Sequence, residues 1–174
     1  MQVRHVAVRG LLSLLMLVCA LPALAAQAPG VVIRALEFGN ASAWTLHASE
    51  DVHASLHVAP GANGRTALCL GYDFPKGVAG YVEMQHPLPL DFPAHYALRL
   101  GVRGHGPRNG LQLKFISADG WNVWWYQQPE FAPPATWTTL HIAQREVGFA
   151  WGPRKDHRLR RSAALQLTIA AVQG

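Results

Sequence analysis

Cysteine is almost absent from this chain of 174 residues: of the two present, Cys19 lies in a leader-like segment, which leaves Cys69 without a partner and excludes an internal disulfide. Stability must then come from packing, even in an oxidising compartment. Long apolar runs are also missing. The longest, Leu11 to Leu21, falls short of the ~20 residues needed to cross a bilayer. Charge is sparse and nearly balanced. The 15 Lys and Arg less Arg4 and Arg9 leave 13 against 10 Asp and Glu, a net +3 that gives no argument for nucleic-acid binding. No Gly-rich phosphate loop, CxxC pair, HExxH, GxSxG or internal repeat occurs, which removes the usual signatures of nucleotide, zinc and α/β-hydrolase chemistry.

What is there begins with a targeting signal over residues 1–26. Arg4 and Arg9 form a positive start, Leu11 to Leu21 the apolar stretch, and Ala23-Leu24-Ala25 a small-x-small cleavage site. Cleavage after Ala25 or Ala26 predicts a secreted or periplasmic protein with no transmembrane segment. The remainder, 27–174, is the size of one domain with enough chain to bury a core.

Periodicity in that remainder is of strand type. Alternating runs cover Val31 to Phe38, Trp44 to His47, His53 to Val58, Arg65 to Tyr72, Tyr81 to Gln85, Tyr96 to Arg103, Gly110 to Ile116, Asn122 to Gln128, Thr138 to Ile142 and Ala164 to Val172. Pro60-Gly61, Pro75-Lys76-Gly77, Gly104-His105-Gly106-Pro107 and Pro133-Pro134 punctuate them. Many short strands without an amphipathic helix predict an all-β, antiparallel two-sheet sandwich or jelly roll. Pro87, Pro89 and Pro93 predict a loop or sheet edge after Gln85. Cys69, inside Thr66-Ala67-Leu68-Cys69-Leu70, is expected to be a small buried hydrophobe.

The central stretch is a hairpin. Leu111, Leu113 and Phe115 alternate with Gln112 and Lys114, and Asp119-Gly120 suits a type I′ turn. A two-residue turn pairs Lys114 with Trp125 and Gln112 with Gln127, placing these four on the wet face and Trp124 and Tyr126 in the core. A loop one residue longer exchanges the two tryptophans. In the strand Tyr96 to Arg103, Arg99 and Arg103 oppose Leu98, Leu100 and Val102. If that strand neighbours the hairpin, Arg99, Arg103, Gln112, Lys114, Trp125 and Gln127 form one polar surface around an exposed indole, a chemistry suited to gripping a sugar ring.

The hairpin residues Gln112 to Trp125, Pro134-x-x-Trp137-x-x-Leu140-x-Ile142, the opening Leu36-Glu37-Phe38-Gly39-Asn40-x-x-x-Trp44 and Phe149-Ala150-Trp151-Gly152 together resemble the galactose-binding-like β-sandwiches used as carbohydrate-binding modules. Such modules stand beside glycoside hydrolase domains and discoidin, coagulation-factor-type domains in exported bacterial proteins. The resemblance implies binding of a polysaccharide or glycan on a sheet face or loop rim, no catalytic site unless the chain is fused to a catalytic domain, and further domains of the same polypeptide as partners. Family members close with a strand bearing an acidic residue, and this chain ends just after Ala164 to Val172. Either it is truncated or a continuation completes the sheet, and a vacant place beside the last strand would expose an edge. The family also holds a structural calcium between an early acidic residue, matched here by Glu37, and one on that closing strand. No other cofactor is implied.

Plainer roles compete with these. Large aromatics usually fill cores, which suits Trp124 and Trp137, while Trp121 beside the turn suits a rim contact. His53 and His57 lie roughly 13 Å apart on an extended strand at ~3.3 Å per residue, too far to share an ion, so surface roles are expected for them. Asp73, Glu83, Asp91, Asp119, Glu130, Glu146 and Asp156 are the carboxylates available for glycosidase chemistry, and most sit in turns. Arg154, Lys155, Arg158, Arg160 and Arg161 form a basic cluster that reads either as a solvated loop or as a grip on an acidic polysaccharide, phosphate groups or a membrane surface. Two functions follow: non-catalytic carbohydrate binding, or a structural interaction domain docking on a partner or on a continuation of the chain.

Overall fold

The computed structural model describes residues 32, 35, 36, 38–76 and 79–171. The expected leader 1–26, most of the expected strand Val31 to Phe38, and Glu37 with its calcium lie outside the described residues. Within the unit that begins at Leu36, ten strands are described: β1 (Thr45–Ala48), β2 (His53–Pro60), β3 (Thr66–Asp73), β4 (Tyr81–Asp91), β5 (Ala97–Val102), β6 (Asn109–Ile116), β7 (Val123–Phe131), β8 (Thr138–Ala143), β9 (Gly148–Trp151) and β10 (Arg161–Ala170).

These strands form a six-stranded sheet in the order β1-β4-β10-β6-β7-β9 and two hairpin-like pairs, β2-β3 and β5-β8, all antiparallel. Period-two alternation decides which side of each strand is buried. From the large sheet, Met84, Leu88, Leu113, Phe115, Trp124 and Leu165 meet Ile142 of β8, with Leu56, Leu68 and Leu98 of the smaller pairs packed against them. A second cluster joins Val82, Leu111, Phe131 and Ile169 to Leu70, Tyr72, Val102 and Leu140. The two pairs therefore form the second layer of a sandwich, and the core lies between it and the large sheet.

Three expectations change and one holds. The strand Tyr96 to Arg103, seen as β5, does not neighbour the hairpin; it pairs with β8 in the other layer. The segment with Pro87 and Pro89 is the sheet edge expected of it: β4 runs through both prolines with β10 on one side only, and Pro93 follows in a loop. The prolines are tolerated because β1 pairs only as far as Gln85, so one side of β4 has no partner strand beyond it, and because β4 carries one extra residue between Pro87 and Leu90 where its register with β10 shifts. The last strand has no vacant place beside it: β10 is flanked by β4 on one side and β6 on the other. Cys69 is exposed rather than buried, since Leu68 and Leu70 take the core side of β3 and send the thiol outward opposite His57.

Candidate carbohydrate-binding face

The outer face of the large sheet is built by register. One cross-strand row reads Thr45, Gln85, Gln166, Lys114, Trp125, Gly148, and the next reads His47, Glu83, Thr168, Gln112, Gln127. Lys114 opposite Trp125 and Gln112 opposite Gln127 match the pairing expected from sequence. The turn differs. Asp119 does not adopt the positive φ of a type I′ turn; only Gly120 does, at 76°. The Gly120 N–H donates to the Ser117 carbonyl, and the Ser117 N–H donates to the Asn122 carbonyl across four intervening residues. A loop longer by two residues keeps the parity, so Trp124 and Trp125 keep their expected faces.

Asp119 stabilises that longer loop with its side chain. Its carboxylate accepts from the Ser117 hydroxyl, the Trp121 N–H and the Asn122 amide. These donors, the Ser117 hydroxyl first, hold the Asp119 carboxyl below the usual range.

Behind the hairpin Trp124 is 0% exposed, and its indole N–H donates to the His157 carbonyl at 2.7 Å. In front, Trp125 is partly exposed and stands perpendicular to Trp151, which is 49% exposed, with ring centroids 5.7 Å apart. The two indoles make an aromatic corner at the β7-β9 end of the face.

The centre of the face is a polar network. Lys114 Nζ lies 3.6 Å from Glu83 Oε2, with the two side chains 12% and 16% exposed. The Gln166 amide donates to Glu83 Oε1 and Gln85 Oε1, and the Thr168 hydroxyl donates to Glu83 Oε2. Desolvation lowers the Lys114 pKa, and Glu83 opposes the shift. Beside this network Gly110 and Ala170 floor a shallow depression of about 170 Å³ walled by Gln112, Gln127 and Pro129. It is smaller than the ~300 Å³ at which enclosed small-molecule sites begin, so the face suits an extended ligand lying along it.

The structure therefore brings Gln112, Lys114, Trp125 and Gln127 together and excludes Arg99 and Arg103. Leu98 and Val102 turn inward to the shared core, so Arg99 and Arg103 point away from it on the opposite side of the sandwich. Arg99 is paired with His141, and the Arg103 guanidinium lies 5.0 Å from the centroid of Trp137, covering that ring. The place of Glu83, Gln85, Gln166 and Thr168 on this face was not foreseen, Glu83 having been named only as a carboxylate available for glycosidase chemistry. Their alternation was legible in Tyr81 to Gln85 and in Ala164 to Val172, but nothing local tells that β10 inserts between β4 and β6.

Four of the remaining carboxylates have structural partners. Asp91 pairs with Arg161, Asp156 with Arg160 and Glu130 with Arg108, while Glu146 caps the Ala143 N–H. His47, His53 and His57 are exposed on their strands, and among the described residues no three His, Cys, Asp or Glu side chains converge to hold a metal.

No family model matches the sequence, and no curated protein does. Among the solved structures similar in fold are two carbohydrate-binding modules. The family 11 carbohydrate-binding module of the cellulosomal cellulase Lic26A-Cel5E of Clostridium thermocellum matches with a TM-score of 0.60 at 16% identity, over 79% of this chain and 84% of that one. The family 11 module from Clostridium thermocellum in complex with a β-1,3-1,4-mixed-linked tetrasaccharide matches with a TM-score of 0.63 at 16% identity, over 80% and 86%. The chain thus has the β-sandwich fold of these carbohydrate-binding modules.

Proposed function

We propose that this protein is an exported, non-catalytic carbohydrate-binding domain, an accessory to carbohydrate-active partners, that holds a polysaccharide or glycan against the outer face of its large sheet. One observation carries this reading: Trp125 sits part-exposed between Lys114 and Gly148 in a cross-strand row while Trp124 is sealed behind it. The indole faces stack on the C–H side of a pyranose. Gln112 and Gln127 offer both donors and acceptors to hydroxyls, and the Lys114 ammonium has N–H donors beyond the one directed at Glu83. The fold shared with two carbohydrate-binding modules supports the same reading, as do the leader features for export. Affinity is modest, because a shallow face buries little ligand and desolvation offsets much of each hydrogen bond.

A glycan array followed by affinity electrophoresis tests it. Trp125→Ala is expected to weaken retention by about tenfold with the fold intact. An intact protein that retains no glycan at ~1 mM overturns the proposal in favour of a structural docking domain.

A further inference from the structure

Trp121 is 70% exposed, the most exposed aromatic side chain among the described large hydrophobics, yet its backbone is held in place. Its N–H donates to Asp119. The next residue, Asn122, is 4% exposed, and its side-chain oxygen accepts the Arg154 N–H at 2.9 Å. Gly152, at φ 136°, lies so close that a Cβ there would sit 2.6 Å from the Asn122 side-chain oxygen and 2.7 Å from the Trp121 carbonyl. The hairpin tip and the loop after β9 thus meet closely and are joined through the Asn122 side chain, and the indole they present fills no core.

The loop beyond Gly152 is anchored as firmly. The His157 carbonyl accepts from Trp124, the His157 ring stacks on Phe149 at 4.2 Å, and the Arg158 N–H donates to Asp156. Its cations are only partly used. Arg160 pairs with Asp156 and Arg161 with Asp91, while Arg154, Lys155 and Arg158 make no ion pair among the described residues, Arg154 lying instead 5.7 Å from the centroid of the Trp124 ring. The two acids nearby are occupied, Asp119 by the turn and Asp156 by Arg158 and Arg160.

We infer that this rim is a second binding site, separate from the sheet face, that takes anionic polysaccharide: Trp121 stacks on a sugar ring while Arg154, Lys155 and Arg158 meet its carboxylates or sulfates. An anionic lipid surface is less suited, because Trp121 is flanked by Asp119, Gly120 and Asn122 and lacks the broad apolar area that interfacial insertion requires. The site does not depend on the sheet face binding sugar.

The test uses the whole protein with polygalacturonate and dextran sulfate as anionic probes, a neutral glucan, and phosphatidylglycerol vesicles, each at low and high salt. Trp121→Ala and the combined Arg154→Gln, Lys155→Gln, Arg158→Gln variant are compared with Trp125→Ala, with near-UV circular dichroism confirming the fold. Expected is a loss of about tenfold for the anionic polymers in both rim variants, steep weakening with salt, and little effect of Trp125→Ala. Anionic binding that is absent, or that survives Trp121→Ala while vanishing in the triple variant, overturns the site as mere charge attraction. Trp121-dependent binding to vesicles with none to the polymers overturns it in favour of a membrane contact.

Discussion

Lys114 on β6 and Glu83 on β4 are joined over the intervening strand β10, with Nζ 3.6 Å from Oε2. Gln166 and Thr168 of that middle strand donate to the same carboxylate, so one anion ties three strands on a face otherwise lined by amides. The pair is also close to charge-neutral, and with Arg99 and Arg103 on the far side of the sandwich the face carries no strong field of either sign.

Removing one member should therefore cost more than removing both. Glu83→Gln leaves a poorly hydrated ammonium and is expected to destabilise by about 2 kcal/mol. Combining it with Lys114→Met should recover most of that loss. Urea unfolding midpoints at constant m-value provide the comparison, and equal losses in the single and double variants would count against the coupling.

Trp124 and Trp125 are adjacent in sequence and opposite in duty. Trp124→Ala empties a fully buried site and frees the His157 carbonyl, for an expected loss of about 4 kcal/mol. Trp125→Ala should lower stability by about 1 kcal/mol or less while weakening glycan retention about tenfold. Thermal unfolding of the two variants side by side checks the contrast.

Gly152→Ala should be among the costliest glycine substitutions, since the new Cβ meets atoms of Asn122 and Trp121 at 2.6–2.7 Å and the backbone sits at φ 136°. A loss of about 2 kcal/mol or more is expected. Gly106→Ala, at a similar φ of 138° with no atom within 4 Å, isolates the backbone contribution and should cost less.

The Asp119 carboxyl titrates below its ordinary 3.8 because of the Ser117 hydroxyl first and the Trp121 N–H second. The unfolded chain therefore binds the proton more readily, and the stabilisation from this group is complete above 3.8 and disappears as pH falls through the depressed folded value. The Trp121 amide should accordingly lose hydrogen-exchange protection only below pH 3.8. Asp119→Asn should remove that acid dependence, which amide exchange monitored by NMR would reveal.

Much of the architecture was legible in local alternation, because a half-buried strand writes its two faces into neighbouring residues. Leu111, Leu113 and Phe115 pointed inward as read, and the hairpin register survived even though its turn was longer than expected. What local pattern cannot encode is which strands become neighbours. Arg99 and Arg103 were assigned to the binding face on the assumption that sequential strands pair, whereas β5 crosses to the other layer and β10 takes the place beside β6. The short strand β9 escaped notice because four residues carry too little periodicity, although Trp151 completes the aromatic corner. Cys69 was misplaced because a strand-like run alone does not say which of its two sides is dry.

The position of β10 also constrains how the molecule is made. β4 and β6, made well before residues 161–170, have nothing to zip onto each other until that later segment threads between them. Such long-range closure is slow. Until that insertion is made, the facing edges of β4 and β6 stay unpaired, so mispairing has longer to act here than along the β6-β7 hairpin.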